Sequence, residues 1–174
     1  MKIISLVPIG RIERDHLELL GEQLASRMQA ACLIQPQRQN GEFAYNRARG
    51  QYHSTEILKR LVLDPHTESW RILGVTDLDL YIPILTFVFG EAQLSAAAAL
   101  VSTHRLRPEF YGMPQDPGLL QERLLKEALH ELGHTFGLRH CSDYLCVMSS
   151  SHSAERIDLK QAEFCTACAT LAGL

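Results

Sequence analysis

The stretch His130-Glu131-Leu132-Gly133-His134-Thr135-Phe136-Gly137-Leu138-Arg139-His140 decides how the rest of the chain reads. Its first half falls in a segment, about 119–136, that reads as one long helix. His130 and His134, four apart on a helix, project from one face a turn apart, so both imidazoles can reach one ion. Leu132 points the other way and anchors the helix in the core. Glu131 sits beside the metal face, where its carboxylate can hydrogen-bond a water on the ion. That is the general-base position of a zinc hydrolase. A third ligand from so short a segment needs a sharp turn, and Gly137 accepts the left-handed conformation that makes one. His140 then swings back to the ion. Three neutral nitrogen ligands leave a fourth position for water, the open geometry of a catalytic site.

Cysteines follow at once: Cys141, Cys146, Cys165 and Cys168, all within the last 34 residues, with Cys32 far upstream. An odd count argues against a disulfide scaffold. Four thiolates make a closed tetrahedral zinc site, which excludes water and is therefore structural. Such a site would tie residues 141–146 to a C-terminal helix over about 158–172 and fix the segment that carries His140. Cys32 reads as a core residue. The plainer alternative is a set of buried or redox cysteines, but no thioredoxin-like βαβ unit surrounds the C-x-x-C.

Outward from this region, 174 residues are enough for one sizeable core. With 46% hydrophobic and 21% charged residues the composition is that of a globular protein, and a net charge of -3 gives no electrostatic case for nucleic acid. No run reaches the ~20 apolar residues of a membrane span. The opening MKIISLVPIG is too short for a secretory signal and reads as a strand over 2–7, closed by Pro8 and Gly10; a cytoplasmic location is expected. A helix follows over about 16–30, capped by Asp15 with Glu18 completing a capping box, and Leu17, Leu20, Leu24 and Met28 share its apolar face. Cys32–Ile34 reads as a second strand, 37–51 as a loop with a short hairpin. A helix starting at Ser54 carries Ile57, Leu58, Leu61 and Val62 and ends at Pro65. Strands are expected over 71–76, 85–90 and 96–103, and a loop over 107–118. This β-α-β-α-β-β-β-α order predicts a mixed α/β (α+β) fold, helices packed on a sheet.

The pattern HExxHxxGxxH, followed by C-x4-C-x-M and C-x-x-C, resembles the archaemetzincins, a branch of the metzincin metallopeptidases; weaker likeness runs through 73–81, 87–92 and 102–106. The resemblance implies catalytic zinc on His130, His134 and His140, with Glu131 as base and acid. It places Met148 in a Met-turn, an apolar floor under the metal, and a second, structural zinc on Cys141, Cys146, Cys165 and Cys168. It implies a metzincin-like fold: one catalytic domain, 1–174, with a twisted mixed sheet and helices above a cleft (about 1–137) and a small C-terminal lobe below (about 138–174). Some metzincins add a tyrosine ligand two residues after the methionine; Ser150 stands there, so three histidines and water are expected. Latency through a propeptide cysteine is not expected. FVFGEA (87–92) is the candidate edge strand for an extended substrate.

The expected activity is peptide-bond hydrolysis on a peptide or protein substrate, by a monomer with no nucleic-acid or membrane partner. Rival readings are a zinc protein that binds a peptide or partner without turnover, and a four-cysteine nucleic-acid module, which leaves the histidines unexplained. An aminopeptidase would need an acid near the cleft to take the α-amine; Glu91, Asp77 and Asp79 are candidates. Tyr111, in a loop expected to shape one cleft wall, is a candidate substrate contact. Elemental analysis should find two zincs per chain, falling to one in His130→Ala; an unchanged count in the variant would remove His130 from the ligand set.

Overall fold

The computed structural model describes residues 1–36, 39–63 and 69–174. In chain order its elements are β1 (Ile3–Ile9), α1 (Arg14–Met28), β2 (Ala31–Ile34), β3 (Tyr45–Asn46), β4 (Gln51–His53), α2 (Ser54–Leu63), β5 (Arg71–Thr76), β6 (Leu80–Tyr81), β7 (Gly90–Ala92), β8 (Ala98–Ser102), α3 (Pro117–Thr135), α4 (Ala154–Leu159) and α5 (Thr166–Ala172). The main sheet has the order β2-β1-β5-β8-β7. Its first four strands are parallel, and β7 closes one edge antiparallel to β8. A small sheet, β3-β4-β6, contains the expected hairpin. Among the described residues, no helix is long and apolar enough to cross a membrane.

Strand alternation builds two cores. Ile4 and Leu6 of β1, Leu73 and Val75 of β5, and Ala99 and Val101 of β8 face α1 and α3. Their neighbours Val7, Ile9, Ile72, Ala98 and Leu100 face α2. A sheet buried on both faces needs these near-continuous apolar strands. Cys146, Val147, Met148, Ile157 and Cys168 join the core of α1 and α3, so the chain beyond His140 is packed on the main body.

Several expectations shift. Pro8 lies inside β1, paired with Val75, and does not close it. The Leu6 carbonyl accepts from Gln35 N, so by alternation the missing N–H of Pro8 faces the same side, where β2 has already ended. Helix α1 starts two residues early, after Glu13; Asp15 lies in its first turn, and Glu18 accepts from Arg14 Nε at 2.6 Å instead of completing a capping box. Val62 is exposed, and the expected stop at Pro65 lies outside the described residues. Cys32 is half-buried against the core, and burial pushes its thiol up to about 11.

Two larger corrections bear on the site. The strand expected over 85–90 is displaced: pairing with β8 begins at Gly90, and before it only Val88 makes a bridge, to Leu80. Ile84 and Leu85 are exposed, and Phe87 to Phe89 line a cleft, so the apolar run there marks a cleft wall more than a sheet face. The helix expected over 158–172 is broken into α4 and α5. Between them the chain runs back along the segment before Met148, with Gln161 N donating to Leu145 O at 2.8 Å and Val147 N to Glu163 O at 2.9 Å. An unbroken helix could not make this return.

Candidate active site

Helix α3 is built to aim its C-terminal end. The Asp116 side chain accepts from Leu119 N at 2.9 Å and Pro117 opens the first turn, two strong start signals. Fourteen of its residues, from Leu120 to Thr135, are buried, including His130, Glu131 and Leu132. At the other end Gly137 has φ +86°, as expected. Gly137 N donates to His134 O at 2.9 Å and Leu138 N to Gly133 O at 3.2 Å, the paired bonds of a Schellman turn. The turn also brings the Leu138 carbonyl under His134, whose Nδ1–H donates to it at 2.7 Å. His130 Nδ1–H donates to Val147 O at 2.9 Å.

Those two carbonyls decide the chemistry. A carbonyl only accepts, so each ring carries its proton on Nδ1 and leaves a bare lone pair on Nε2. The two Nε2 atoms nevertheless face each other at 3.2 Å. Lone pairs repel at that distance unless a cation lies between them. Ligand nitrogens bonded tetrahedrally to zinc at about 2.0–2.1 Å would stand about 3.3 Å apart, so the donor set fits the ion. His140 completes it: ligand nitrogens of all three lie within 4.8 Å of one another. Burial, helped by the Lys160 ammonium, holds His130 well below the ordinary imidazole range, and burial lowers His140 too.

Glu131 lies beside this centre, buried against the edge strand. Burial, then the Glu127 and Glu91 carboxylates, pushes its pKa well above the usual carboxylate range. A Cβ at Gly90 would stand 2.5 Å from the Leu100 carbonyl oxygen of β8, 2.7 Å from Glu131 Cγ and 2.9 Å from its Oε1. Glycine is what lets β7 approach the helix here, a signal that a glycine within a strand carries in sequence. The centre opens into a cleft of about 450 Å³, with residues 85–92 on one wall and Ser150, Ser151 and His152 on the other. Met148 is fully buried, and its Sδ packs where a Cβ on Gly133 would be, directly under α3.

The four expected cysteines also converge, their Sγ atoms all within 4.8 Å. Cys141 and Cys165 Sγ are 3.9 Å apart, against about 3.8 Å for thiolates bonded tetrahedrally to zinc. Cys146 Sγ accepts from Met148 N at 3.4 Å and Cys165 N at 3.3 Å, as a thiolate would. Burial pushes the Cys146 and Cys168 thiols up, so four thiolates here call for a compensating dication.

Other candidates part company. Glu91 lines the cleft, accepting from the Ser54 hydroxyl and from Thr55 Oγ1 at 2.8 Å. Asp79 is instead locked to Arg105 at 2.7 and 2.8 Å, and Asp77 accepts from Arg11 N at 2.8 Å; neither lines the cleft. Tyr111 donates to Arg105 O at 2.7 Å, and its loop borders a different hollow, so the wall expected from 107–118 is supplied by 85–92. Sequence reasoning missed Glu127, Lys160 and the role of Gly90. Glu127 had a signal, four residues before Glu131 on one helix face; Lys160 had none nearby in the chain.

The sequence matches peptidase family M54 over residues 17–172. It is 44% identical to an archaemetzincin of Methanocaldococcus jannaschii over 165 residues, 95% of this chain and 89% of that protein. It is 41% identical to one of Pyrococcus furiosus over 172 residues, 95% of this chain and 90% of that protein. The crystal structure of archaemetzincin from Archaeoglobus fulgidus, complexed with malonate, superimposes with a TM-score of 0.84 at 36% identity, covering 97% of this chain and 99% of that one. A zinc-dependent peptidase from Methanocorpusculum labreanum gives 0.88 at 29% identity, over 97% of this chain and 99% of that one. Fold, site and relatives together define a zinc metallopeptidase, a hydrolase with the expected metzincin-like architecture. The chain belongs to peptidase family M54, the family of the archaemetzincins.

Gly90→Ala should push Glu131 out of register. Overpacking lowers stability by about 1–3 kcal/mol in urea unfolding, and misplacement of the carboxylate lowers turnover about 100-fold. Wild-type turnover in a folded Gly90→Ala protein would show that the close approach does not place Glu131.

Proposed function

We propose that this chain hydrolyses peptide bonds with a zinc held by His130, His134 and His140 and with Glu131 as general base. The carrying observation is the pair of Nε2 atoms that face each other 3.2 Å apart, beside a buried carboxyl in an open cleft. When bound, zinc polarises the scissile carbonyl and lowers the pKa of a water toward ~7. Glu131 takes the proton of that water as it attacks the carbonyl carbon, and passes it to the leaving amine. Phe87 to Phe89 give the cleft an apolar wall that limits competing water. An extended peptide pairs with the edge strand β7, which lies against Glu131 at Gly90. Cys141, Cys146, Cys165 and Cys168 hold a second, structural zinc, and Met148 is the apolar floor. The whole chain acts as one catalytic domain, with 1–137 above the cleft and 138–174 below.

Glu131→Gln keeps the shape of the side chain and removes the base. It should retain two zincs by elemental analysis and lose about 10²–10⁴-fold in kcat on a peptide library. Undiminished hydrolysis would sink the general-base assignment.

One observation favours an aminopeptidase specificity as a second reading. Of Glu91, Asp77 and Asp79, Glu91 alone lines the cleft, and two hydroxyls hold it there. On that reading Glu91→Gln raises KM for peptides with a free N-terminus and leaves N-acetylated ones unchanged. Equal effects on both would leave an endopeptidase.

A further inference from the structure

A buried ion pair lies behind the histidine centre, outside the roles assigned so far. Lys160, on the return between α4 and α5, has a side chain 1% exposed, and Glu127 of α3 one 4% exposed. The Lys160 ammonium donates to Glu127 Oε1 at 3.1 Å, Val147 O at 3.1 Å and Ser149 O at 3.0 Å, which uses all three of its protons. The two carbonyls bracket Met148. One of them, Val147 O, is the acceptor that sets the His130 tautomer. The Met148 carbonyl between them accepts from Cys141 N at 3.0 Å, so the same bend reaches the cysteine group.

Stability alone does not account for this pair. Two charges taken out of water bind each other at a desolvation cost that often cancels the gain, and apolar side chains of similar volume are commonly as stable or more so. What an apolar pair cannot do is hold two carbonyl oxygens in fixed directions. The other cations nearby serve a different end. Arg123 pairs with Asp158 at 2.7 Å and Lys126 with Glu122 at 2.6 Å, and both also bind backbone carbonyls away from the histidines.

We infer that Lys160 is a positioning residue of the metal centre: held by Glu127, its ammonium pins the bend that carries Met148 and, through the shared Val147 carbonyl, orients His130 toward the ion. This rests on the three-histidine zinc reading. Partners that orient a metal-binding histidine from behind typically contribute 10–100-fold in metal affinity.

The test uses Lys160→Met and the double variant Glu127→Met/Lys160→Met, which exchanges the pair for two apolar chains. Each is stripped of metal, reloaded with zinc against a chromophoric chelator, and separately loaded with cobalt to read the visible d–d bands. Both variants should keep the zinc of the four cysteines, bind the zinc of the three histidines about 10–100-fold more weakly and change the cobalt spectrum. The double variant should keep the urea midpoint of wild type or better, so weakened metal binding there is not loss of fold; it carries the test if the single variant does not fold. A folded double variant with wild-type affinity for the histidine-bound zinc and a wild-type cobalt spectrum would overturn the inference and leave the pair merely structural. Wild type that itself binds one zinc would overturn the zinc reading instead, and this inference with it.

Discussion

Two imidazole lone pairs held 3.2 Å apart are the constraint on which the rest of the site depends. Left to themselves, neutral rings would rotate away from each other and into water. Here each is fixed from behind by a backbone carbonyl, Val147 for His130 and Leu138 for His134. Neither carbonyl belongs to the regular part of α3. One comes from the turn that Gly137 makes possible, the other from a bend beneath the helix. The surrounding fold therefore aims both nitrogens at one point, where a dication fits.

That requirement accounts for much of the architecture. The five-stranded sheet buries α3 along nearly its whole length, so the histidine end cannot drift. Its edge strand β7 comes close enough at Gly90 to press on Glu131, joining that carboxyl to the edge of the sheet. Below, the bend at Met148 is held from three directions: by the core against Gly133, by the cysteine group through Cys141 and Cys146, and by the Lys160 ammonium. The two groups of metal-binding side chains are thus mechanically continuous. His140 is followed directly by Cys141, and one bend serves both.

Much of this was legible in the chain. The histidine spacing, the left-handed glycine and the four cysteines are local patterns, because a helix turn and a short loop bring residues together with little help from the rest of the protein. The parallel strands were also readable, since a sheet covered on both faces must be apolar at successive positions. Misreadings gathered where an apolar residue faced something other than the core. Leu85, Phe87 and Val88 line a cleft, and the tail after residue 158 turns back to meet the irregular segment 145–147, a pairing that sequence alone does not reveal. Pro8 misled for a similar reason: its cost in a strand depends on whether a neighbour lies beside it at that point.

By itself, then, the sequence determined which histidines gather into a group able to hold a metal ion and which carboxylate stands next to them, because those residues lie within a few turns of one another and their spacing sets their geometry. Only the tertiary structure decided what orients those atoms. The Val147 carbonyl, the Lys160 ammonium, the approach of Gly90 and the choice of Glu91 over Asp77 and Asp79 all join segments that regular secondary structure does not link, 13 residues apart at Lys160 and Val147 and 17 at His130 and Val147. Such contacts follow from how the sheet, α3 and the returning tail pack, and packing of that range leaves no periodic mark on the chain.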